Sequence, residues 1–202
     1  MSSPKVAVFD YGAGNVHSAC QALRRVGAQV ELTSEVRGFD GVLVPGVGAF
    51  GYVIDRFLKR SNADLFSQRP TFGVCVGMQI LFQDAEEKGH HKGLGILSGT
   101  VAQLPAPRLP HMGWAPVNVA EPMKMFDGIE DECFYFVHSY ARAALPPVLN
   151  LQTGAPVTSA TATHEVPFVA ALESGALWAT QFHPEKSGPA GLQILHNWIQ
   201  QL

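Results

Sequence analysis

The chain has 202 residues, of which 47% are hydrophobic and 15% charged, and its formal net charge at pH 7 is -3. This length and composition are typical of a globular protein with one sizeable core, so we expect a single domain over residues 1–202. The charge argues against a nucleic-acid or anionic-membrane binder, since both need clustered Lys and Arg. No apolar run approaches the roughly 20 residues that span a bilayer, and no signal-peptide pattern is visible, so we expect a cytoplasmic protein.

Short apolar runs alternate with helical patterns over the first half of the chain. In order, the pattern predicts strands at "KVAVFDYG", "AQVEL", "GVLVPG" and "TFGVC", and helices over residues 15–26, 50–58 and 76–88. This alternation is typical of βαβ units, and it predicts an α/β fold with a doubly wound, mostly parallel sheet covered by helices on both faces. Ligands of such sheets bind at the carboxyl ends of the strands.

The second half is richer in short strands and turns. The runs "PVNVA", "CFYFVHSYA", "FVAALE" and "ALWATQF" lie between residues 93 and 182, and a helical pattern covers residues 190–201. We interpret these runs as antiparallel additions to the same sheet, closed by a C-terminal helix.

One cysteine stands where a predicted strand meets a predicted helix. In "TFGVCVGMQ", Cys75 has Gly73 and Gly77 on either side. Glycines there permit a tight strand-to-helix turn, which raises the middle side chain above the sheet as in the nucleophile elbow of hydrolases. The first amides of the following helix favour a thiolate and can stabilise an oxyanion. The alternative is a buried structural cysteine.

The stretch "WATQFHPEKS" supplies a candidate base. In an extended segment positions i and i+2 point the same way, so His183 and Glu185 share a face, where the carboxylate can orient and charge-stabilise the imidazole. The alternative is a turn in which a His and a Glu occur by chance. A strand ending beside that of Cys75 would place the pair at the same sheet edge as the thiol.

Two glycine-rich loops follow other predicted strands. "LVPGVGAFG", residues 43–51, leaves backbone N–H groups free to face a ligand and is a candidate oxyanion-hole loop or substrate cradle. "DYGAGNVHS" contains Gly12 and Gly14, but His17 stands where the dinucleotide fingerprint requires glycine, so this loop gives only weak support for a nucleotide site.

Taken together, "GVCVGMQ" and "QFHPEKS" resemble the class I, or triad, glutamine amidotransferases, which release ammonia from glutamine. "DYGAGN", "PGVGAF", "LPHMGW" and "FYFVHSY" are similar, more narrowly, to the glutaminase subunits of imidazole glycerol phosphate synthases. These motifs span nearly the whole chain in the family's order. The resemblance implies the flavodoxin-like fold of class I glutamine amidotransferases.

The resemblance also implies a role for each matching residue. Cys75 would attack the glutamine carboxamide and form a glutamyl thioester, His183 would shuttle protons and Glu185 would orient His183. It further implies an oxyanion hole at Val47, Gly48 and Val76, glutamine binding by Gly46, Gln79, His138, Ser139 and Tyr140, and partner contacts at Tyr135 and Lys186. In the family, the oxyanion loop is expected to reorient when the partner and its ligand bind.

The implied partner is a (β/α)8-barrel synthase subunit forming a heterodimer with this chain. The barrel would use the ammonia to convert a phosphoribulosyl-formimino carboxamide ribonucleotide into imidazole glycerol phosphate and an aminoimidazole carboxamide ribonucleotide, in histidine biosynthesis. The resemblance implies no metal and no organic cofactor for this chain.

The sequence departs from the family pattern at two positions, and two other functions stay open. Ala115 follows "HMGW" where asparagine is expected, and Gln83 stands where glutamate is usual. One alternative function is a triad glutaminase serving pyridoxal phosphate, purine or anthranilate synthesis. The other is a non-enzymatic doubly wound module that binds a nucleotide, which would leave the Cys, His and Glu residues unexplained.

Overall fold

The computed structural model describes residues 3–12, 15–144, 149–151 and 155–202. Ala13 and Gly14 of the "DYGAGN" motif lie outside the described residues.

The largest sheet contains the strands that the first half of the sequence predicts. Its members are β1 (Lys5–Phe9), β2 (Gln29–Thr33), β3 (Gly41–Val44), β4 (Thr71–Val74), β11 (Leu149–Asn150), β12 (Pro156–His164), β13 (Val166–Ser174) and β14 (Leu177–Thr180). Their order across the sheet is β11-β12-β13-β14-β4-β3-β1-β2. The run from β14 to β2 is parallel, while β11, β12 and β13 extend it in antiparallel pairing. The predicted mostly parallel sheet with antiparallel additions is confirmed.

The central strands form the core because they are apolar on both faces. Every residue of β3, β4 and β14 is buried, as a parallel strand covered on both faces requires. The outermost parallel strand, β2, has no buried residue, and the exposure of its side chains alternates only weakly along the strand. The carboxyl ends of β3, β4 and β14 therefore meet at one buried edge of the sheet.

Part of the second half forms two smaller sheets, so the prediction that all its strands join the main sheet is wrong. One has the order β10-β7-β5-β6 and the other pairs β8 with β9. Their strands are β5 (Phe82–Ala85), β6 (His91–Lys92), β7 (Leu97–Gln103), β8 (His111–Pro116), β9 (Cys133–His138) and β10 (Tyr140–Arg142). "CFYFVHSYA" is divided between β9 and β10, because a strand pattern fixes which residues face inward but not which partner they pair with. "PVNVA" contributes only the end of β8 and one isolated bridge, Asn118 to Thr161.

Five helices accompany the sheets within the residues that the structure describes. They are α1 (Val16–Arg25), α2 (Phe50–Leu58), α3 (Leu65–Gln68), α4 (Val76–Gln79) and α5 (Gly188–Ile199), with 3₁₀ turns at Lys124–Phe126 and Pro184–Lys186. The first, second and last predicted helices are confirmed to within two residues. None of the helices in the described ranges is long and apolar enough to cross a membrane.

The predicted helix over residues 76–88 is wrong beyond its first turn. Residues 80–82 are all buried, and the chain enters β5, which pairs in parallel with β7. Helical propensity in this stretch is outweighed by the pairing and burial that the second sheet provides.

Two glycines flanking Cys75 are required by close packing. A Cβ at Gly77 would lie 2.1 Å from the Val44 carbonyl oxygen, and one at Gly73 would lie 2.8 Å from the Gly77 oxygen. Neither glycine has a positive φ, whereas Cys75 does, with φ 54°. The glycines thus let backbone segments touch, and the conformational strain of the turn is concentrated on the cysteine.

We therefore expect Gly77→Ala to lower the free energy of unfolding by at least about 2 kcal/mol, because the obstructing atom belongs to the backbone of a buried strand. Urea unfolding followed by circular dichroism measures the effect. Ser98→Ala, on an exposed position of β7, is the control and should stay within about 0.5 kcal/mol of the parent chain. Equal stability of both variants would contradict the close approach.

Candidate active site

The turn after β4 presents Cys75 at the buried edge of the sheet. Its φ of 54° and ψ of -111° are unfavourable for a residue with a side chain. The Cys75 N–H donates to the Thr180 carbonyl over 2.7 Å, and the Cys75 carbonyl accepts from the amides of Met78 and Gln79. Backbone bonds on both sides hold the strained conformation, so the predicted elbow is present, followed by a single turn of helix.

His183 and Glu185 form an ion pair beside that elbow. His183 Nδ1 lies 2.8 Å from Glu185 Oε1, and both side chains are at most 5% exposed. Because a carboxylate oxygen accepts, Nδ1 carries the proton and Nε2 is the nitrogen left to exchange a proton with a thiol. β14 pairs in parallel with β4, which brings the segment after Thr180 next to Cys75.

A set of backbone bonds fixes the position of His183. Its N–H donates to the Tyr135 carbonyl over 3.0 Å, and its carbonyl accepts from Ser187 Oγ over 2.7 Å. The same Ser187 oxygen accepts from the Tyr135 N–H over 2.9 Å. The loop that carries the imidazole is thus hydrogen-bonded to β9 at both the carbonyl and the N–H of Tyr135.

The electrostatics of the pair favour a charged imidazole. Burial alone lowers the pKa of His183, but the neighbouring Cys75 and the hydrogen-bonded Glu185 carboxylate together outweigh burial and raise the pKa to about 10. An imidazolium beside a thiol favours the thiolate, which is the nucleophilic form of a cysteine side chain.

A cavity of about 450 Å³ opens in front of these side chains. Of the residues predicted from the sequence, it is lined by Cys75, His183, Val47, Gly48, Val76, Gln79, His138, Ser139, Tyr140 and Lys186. Glu185 lies behind His183 and, with Gly46, borders a much smaller void. The structure therefore brings together all the predicted residues at or directly behind one cavity, except Tyr135.

The glycine-rich loop after β3 packs directly against the elbow. The Val76 N–H donates to the Gly46 carbonyl over 3.3 Å, so this amide is engaged within the protein. A Cβ at Gly46 would lie 2.4 Å from the Gly77 nitrogen, and Gly48 has φ +103°. The Tyr11 hydroxyl donates to the Pro45 carbonyl and anchors the start of the loop.

A buried hydrogen-bond chain connects Gln79 to the thiol. Gln79 Nε2 lies 2.9 Å from both the Tyr140 carbonyl and Gln181 Oε1, and Gln181 Nε2 lies 3.5 Å from Cys75 Sγ. Gln181 is fully buried. Gln181 was not predicted, although its place two residues before His183, on the segment that leaves the same sheet edge, is a signal in the sequence.

Three further cavity residues were not predicted: Val137 on β9, and the loop residues Glu87 and Asn15. Glu87 lines the cavity and its Oε2 accepts from the Phe50 N–H over 2.7 Å at the start of α2. Asn15, the last residue of "DYGAGN", also lines the cavity. Both come from loops whose approach to the cavity depends on the tertiary fold, so local pattern could not locate them.

Tyr135 lies outside the cavity, on an exposed face of the β8–β9 pair. Its ring packs edge-on against that of Trp114 at 6.1 Å. The register pairs Trp114 with Tyr135 and Met112 with Val137. Met112 is 62% exposed and Trp114 57%, so an apolar surface stands beside the mouth of the cavity.

The two departures from the family pattern lie apart from the cavity lining. Gln83 is on β5, where its Oε1 accepts from the Gly99 N–H over 3.0 Å, and Ala115 is buried on β8. Among the described residues, no group of three or more His, Cys, Asp or Glu side chains is arranged to hold a metal ion.

Comparison with known proteins gives a consistent result. The model of the family described as glutamine amidotransferase class-I matches residues 7–202. An "imidazole glycerol phosphate synthase subunit HisH" from Streptomyces avermitilis is 49% identical over 213 residues, covering 100% of this chain and 98% of the relative. The protein of the same name from Mycobacterium tuberculosis H37Rv is 46% identical and covers 100% of both chains.

Solved structures support the same fold at lower identity. The structure of PurLQS from Thermotoga maritima aligns with a TM-score of 0.68 at 16% identity, covering 98% of each chain. The crystal structure of a glutamine amidotransferase aligns with a TM-score of 0.63 at 16% identity, covering 98% of this chain and 99% of the other.

We expect His183 to lose its elevated pKa when its anionic neighbours are removed. In Cys75→Ala the pKa of His183 should fall, because only Glu185 then opposes the lowering of the pKa by burial. NMR titration of the His183 ring from pH 5 to 11 measures the shift. Cys20→Ala, which removes a buried thiol in α1, is the control and should leave the titration unchanged. An unaltered His183 titration in Cys75→Ala would contradict the electrostatic coupling of His183 to Cys75.

Proposed function

Because the chain belongs to the class-I glutamine amidotransferase family, we propose that it hydrolyses glutamine in the Cys75 cavity, as the glutaminase subunit of an imidazole glycerol phosphate synthase. The observation that carries this proposal is that Cys75 and His183 line one cavity while Glu185, directly behind, is hydrogen-bonded to His183. The full-length relatives named as that subunit support the narrower assignment.

The first half of the reaction forms an acyl-enzyme. The Cys75 thiolate attacks the side-chain carboxamide carbon of glutamine, and the carbonyl oxygen becomes an oxyanion. The His183 imidazolium then donates a proton to the departing nitrogen, so the C–N bond breaks and ammonia leaves. Glu185 holds the imidazole in the orientation for this transfer.

The second half regenerates the thiol. Neutral His183 removes a proton from water, and the resulting hydroxide attacks the thioester carbon. The C–S bond breaks, glutamate leaves, and Cys75 is again a thiolate beside an imidazolium. One water is consumed for each glutamine, and the products are glutamate and ammonia.

The oxyanion hole requires a rearrangement of the loop after β3. Val76 has the backbone amide next to the nucleophile, but that amide donates to Gly46. We assign the hole to the amides of Val47, Gly48 and Val76, and it becomes available when the Gly46 carbonyl rotates away. Until that rotation occurs, the isolated chain lacks one strong hydrogen-bond donor to the oxyanion of the transition state.

The far wall of the cavity holds the amino-acid end of glutamine. The segment from His138 to Tyr140 and the Gln79 side chain line that wall. We assign Gly46 a supporting role in glutamine binding, through the loop after β3 that packs against the elbow. Glu87 supplies a carboxylate for the substrate ammonium. These groups would fix a zwitterion with its carboxamide directed at Cys75.

The exposed surface beside the cavity fits a partner subunit. Met112, Trp114 and Tyr135 form its apolar part, and Lys186 both lines the cavity and is exposed. A (β/α)8-barrel synthase subunit seated there would receive ammonia without its dilution or protonation in water. Aromatic residues surrounded by polar groups are typical of such binding surfaces.

We expect glutamine hydrolysis by the isolated chain to be slow and to rise about 100-fold or more when the barrel subunit and its nucleotide are added, because one oxyanion donor is worth about that factor. A coupled glutamate assay measures the rates. A complex containing Cys75→Ala should not hydrolyse glutamine, but its barrel subunit should still form product when ammonium salts are supplied. The control Cys133→Ala should behave like the parent chain. Absence of stimulation would overturn the assignment to this synthase.

We expect Trp114→Ala to weaken the complex with the barrel subunit about 10- to 100-fold, as loss of an aromatic anchor in an interface does. Calorimetric titration gives the Kd. Leu58→Ala, which removes another exposed apolar side chain at the end of α2, is the matched control. If both variants bind equally well, the partner does not use the β8–β9 face.

A further inference from the structure

A second histidine supports the cavity wall from behind. His111 on β8 is paired in register with His138 on β9, and His111 Nδ1 lies 3.2 Å from His138 Nε2. Both side chains are 7% exposed. His111 does not line the cavity, and no step of the proposed hydrolysis uses it.

The direction of this hydrogen bond follows from the next one. His138 Nδ1 lies 3.1 Å from the Tyr140 carbonyl oxygen. A carbonyl can only accept, so Nδ1 of His138 carries the proton and its Nε2 is an acceptor in the neutral ring. His111 must therefore donate from Nδ1, and the two bonds together select one tautomer of each ring.

The surroundings keep both rings neutral. The ring centroid of His111 lies 4.4 Å from that of His164 and 5.0 Å from that of Phe136, both stacked, and His138 and Phe168 pack edge to face with centroids 4.8 Å apart. Burial and the neighbouring His164 lower the pKa of His111 to about 4. Burial, with His111 as the next cause, lowers that of His138 to about 3. A neutral donor–acceptor pair is thus the state at physiological pH.

The bond continues into the chain that reaches the nucleophile. The Tyr140 carbonyl accepts from His138 and from Gln79, and Gln79 in turn donates to Gln181, whose amide approaches Cys75. We infer that His111 is a positioning residue for the glutaminase: it fixes the tautomer and orientation of His138, and thereby the Tyr140 carbonyl on which Gln79 depends.

This inference rests on the proposed function and gives β8 a second role. The residue after His111 is Met112, which points to the opposite face and belongs to the exposed apolar surface. The same short strand therefore carries a side chain of the proposed partner surface and a side chain that supports the glutamine pocket. A shift of β8 on docking would be transmitted to His138 through a bond of known direction.

Paired substitutions of His111 test the inference in the complex with the barrel subunit and its nucleotide. His111→Phe keeps an aromatic ring between His164 and Phe136 but removes the donor, leaving His138 Nε2 unpaired. His111→Asn keeps an N–H donor near the position of Nδ1. We expect His111→Phe to raise KM for glutamine about tenfold with kcat within about twofold, as loss of a buried bond of this kind predicts. His111→Asn should restore KM to within about threefold.

A control separates positioning from loss of packing. His164→Phe alters the same aromatic cluster without entering the hydrogen-bond chain, so it should change thermal stability but leave KM unchanged. Equal KM values for the parent complex and His111→Phe, or equal increases in His111→Phe and His111→Asn, would overturn the inference. If the parent complex itself does not hydrolyse glutamine, the proposed function fails instead.

A spectroscopic measurement keeps the inference falsifiable if His111→Phe does not fold. At pH 7, nitrogen-15 NMR of the parent protein should show the His138 tautomer that is protonated on Nδ1 and unprotonated on Nε2. The tautomer protonated on Nε2 should not be detected. A His138 ring protonated on Nε2 would exclude the bond from His111 and overturn the inference directly.

Discussion

The strained backbone of Cys75 is the constraint on which the site depends. A side chain at φ 54° is unfavourable by about 1–2 kcal/mol, and it persists because its neighbours leave no alternative. Its N–H is bonded to Thr180, and the turn that follows touches β3 through Gly77. The same bond to Thr180 links the strand of Cys75, the proposed nucleophile, to the strand that leads to His183, the proposed base. Thiol and base therefore share one rigid edge.

Buried polar groups fill the space behind this edge, and each of them is costly unless it is paired. Gln79, Gln181 and His138 are nearly inaccessible, and their bonds join the small sheets to the main one. In a low-dielectric interior such bonds are strong, and an unpaired member is correspondingly destabilising. The network thus favours one arrangement of the cavity wall over near alternatives, which an apolar wall of the same volume would not do.

Local sequence was sufficient for the elements whose pattern is periodic and continuous. The parallel strands, α1, α2 and α5, and the elbow at Cys75 follow from apolar runs and glycines that are close in sequence. The helix expected over residues 76–88 ends at Gln79, because pairing of β5 with β7 is a long-range effect. Gln181 and His111 escaped notice for a related reason: their importance lies in partners far away in the chain.

The adjacency of β4 and β14 has a consequence for the order in which the molecule assembles. The hydrogen-bonded residues Gln181 and Cys75 are 106 positions apart in the chain. Closing a loop of that size costs about 4 kcal/mol of chain entropy before the contacts between its ends can stabilise the fold. Folding of such non-local parallel strands is slow relative to local hairpins. A nascent or partly folded chain therefore has a thiol without its base. Glutamine cleavage at the proposed site therefore becomes possible only after β4 and β14 have paired.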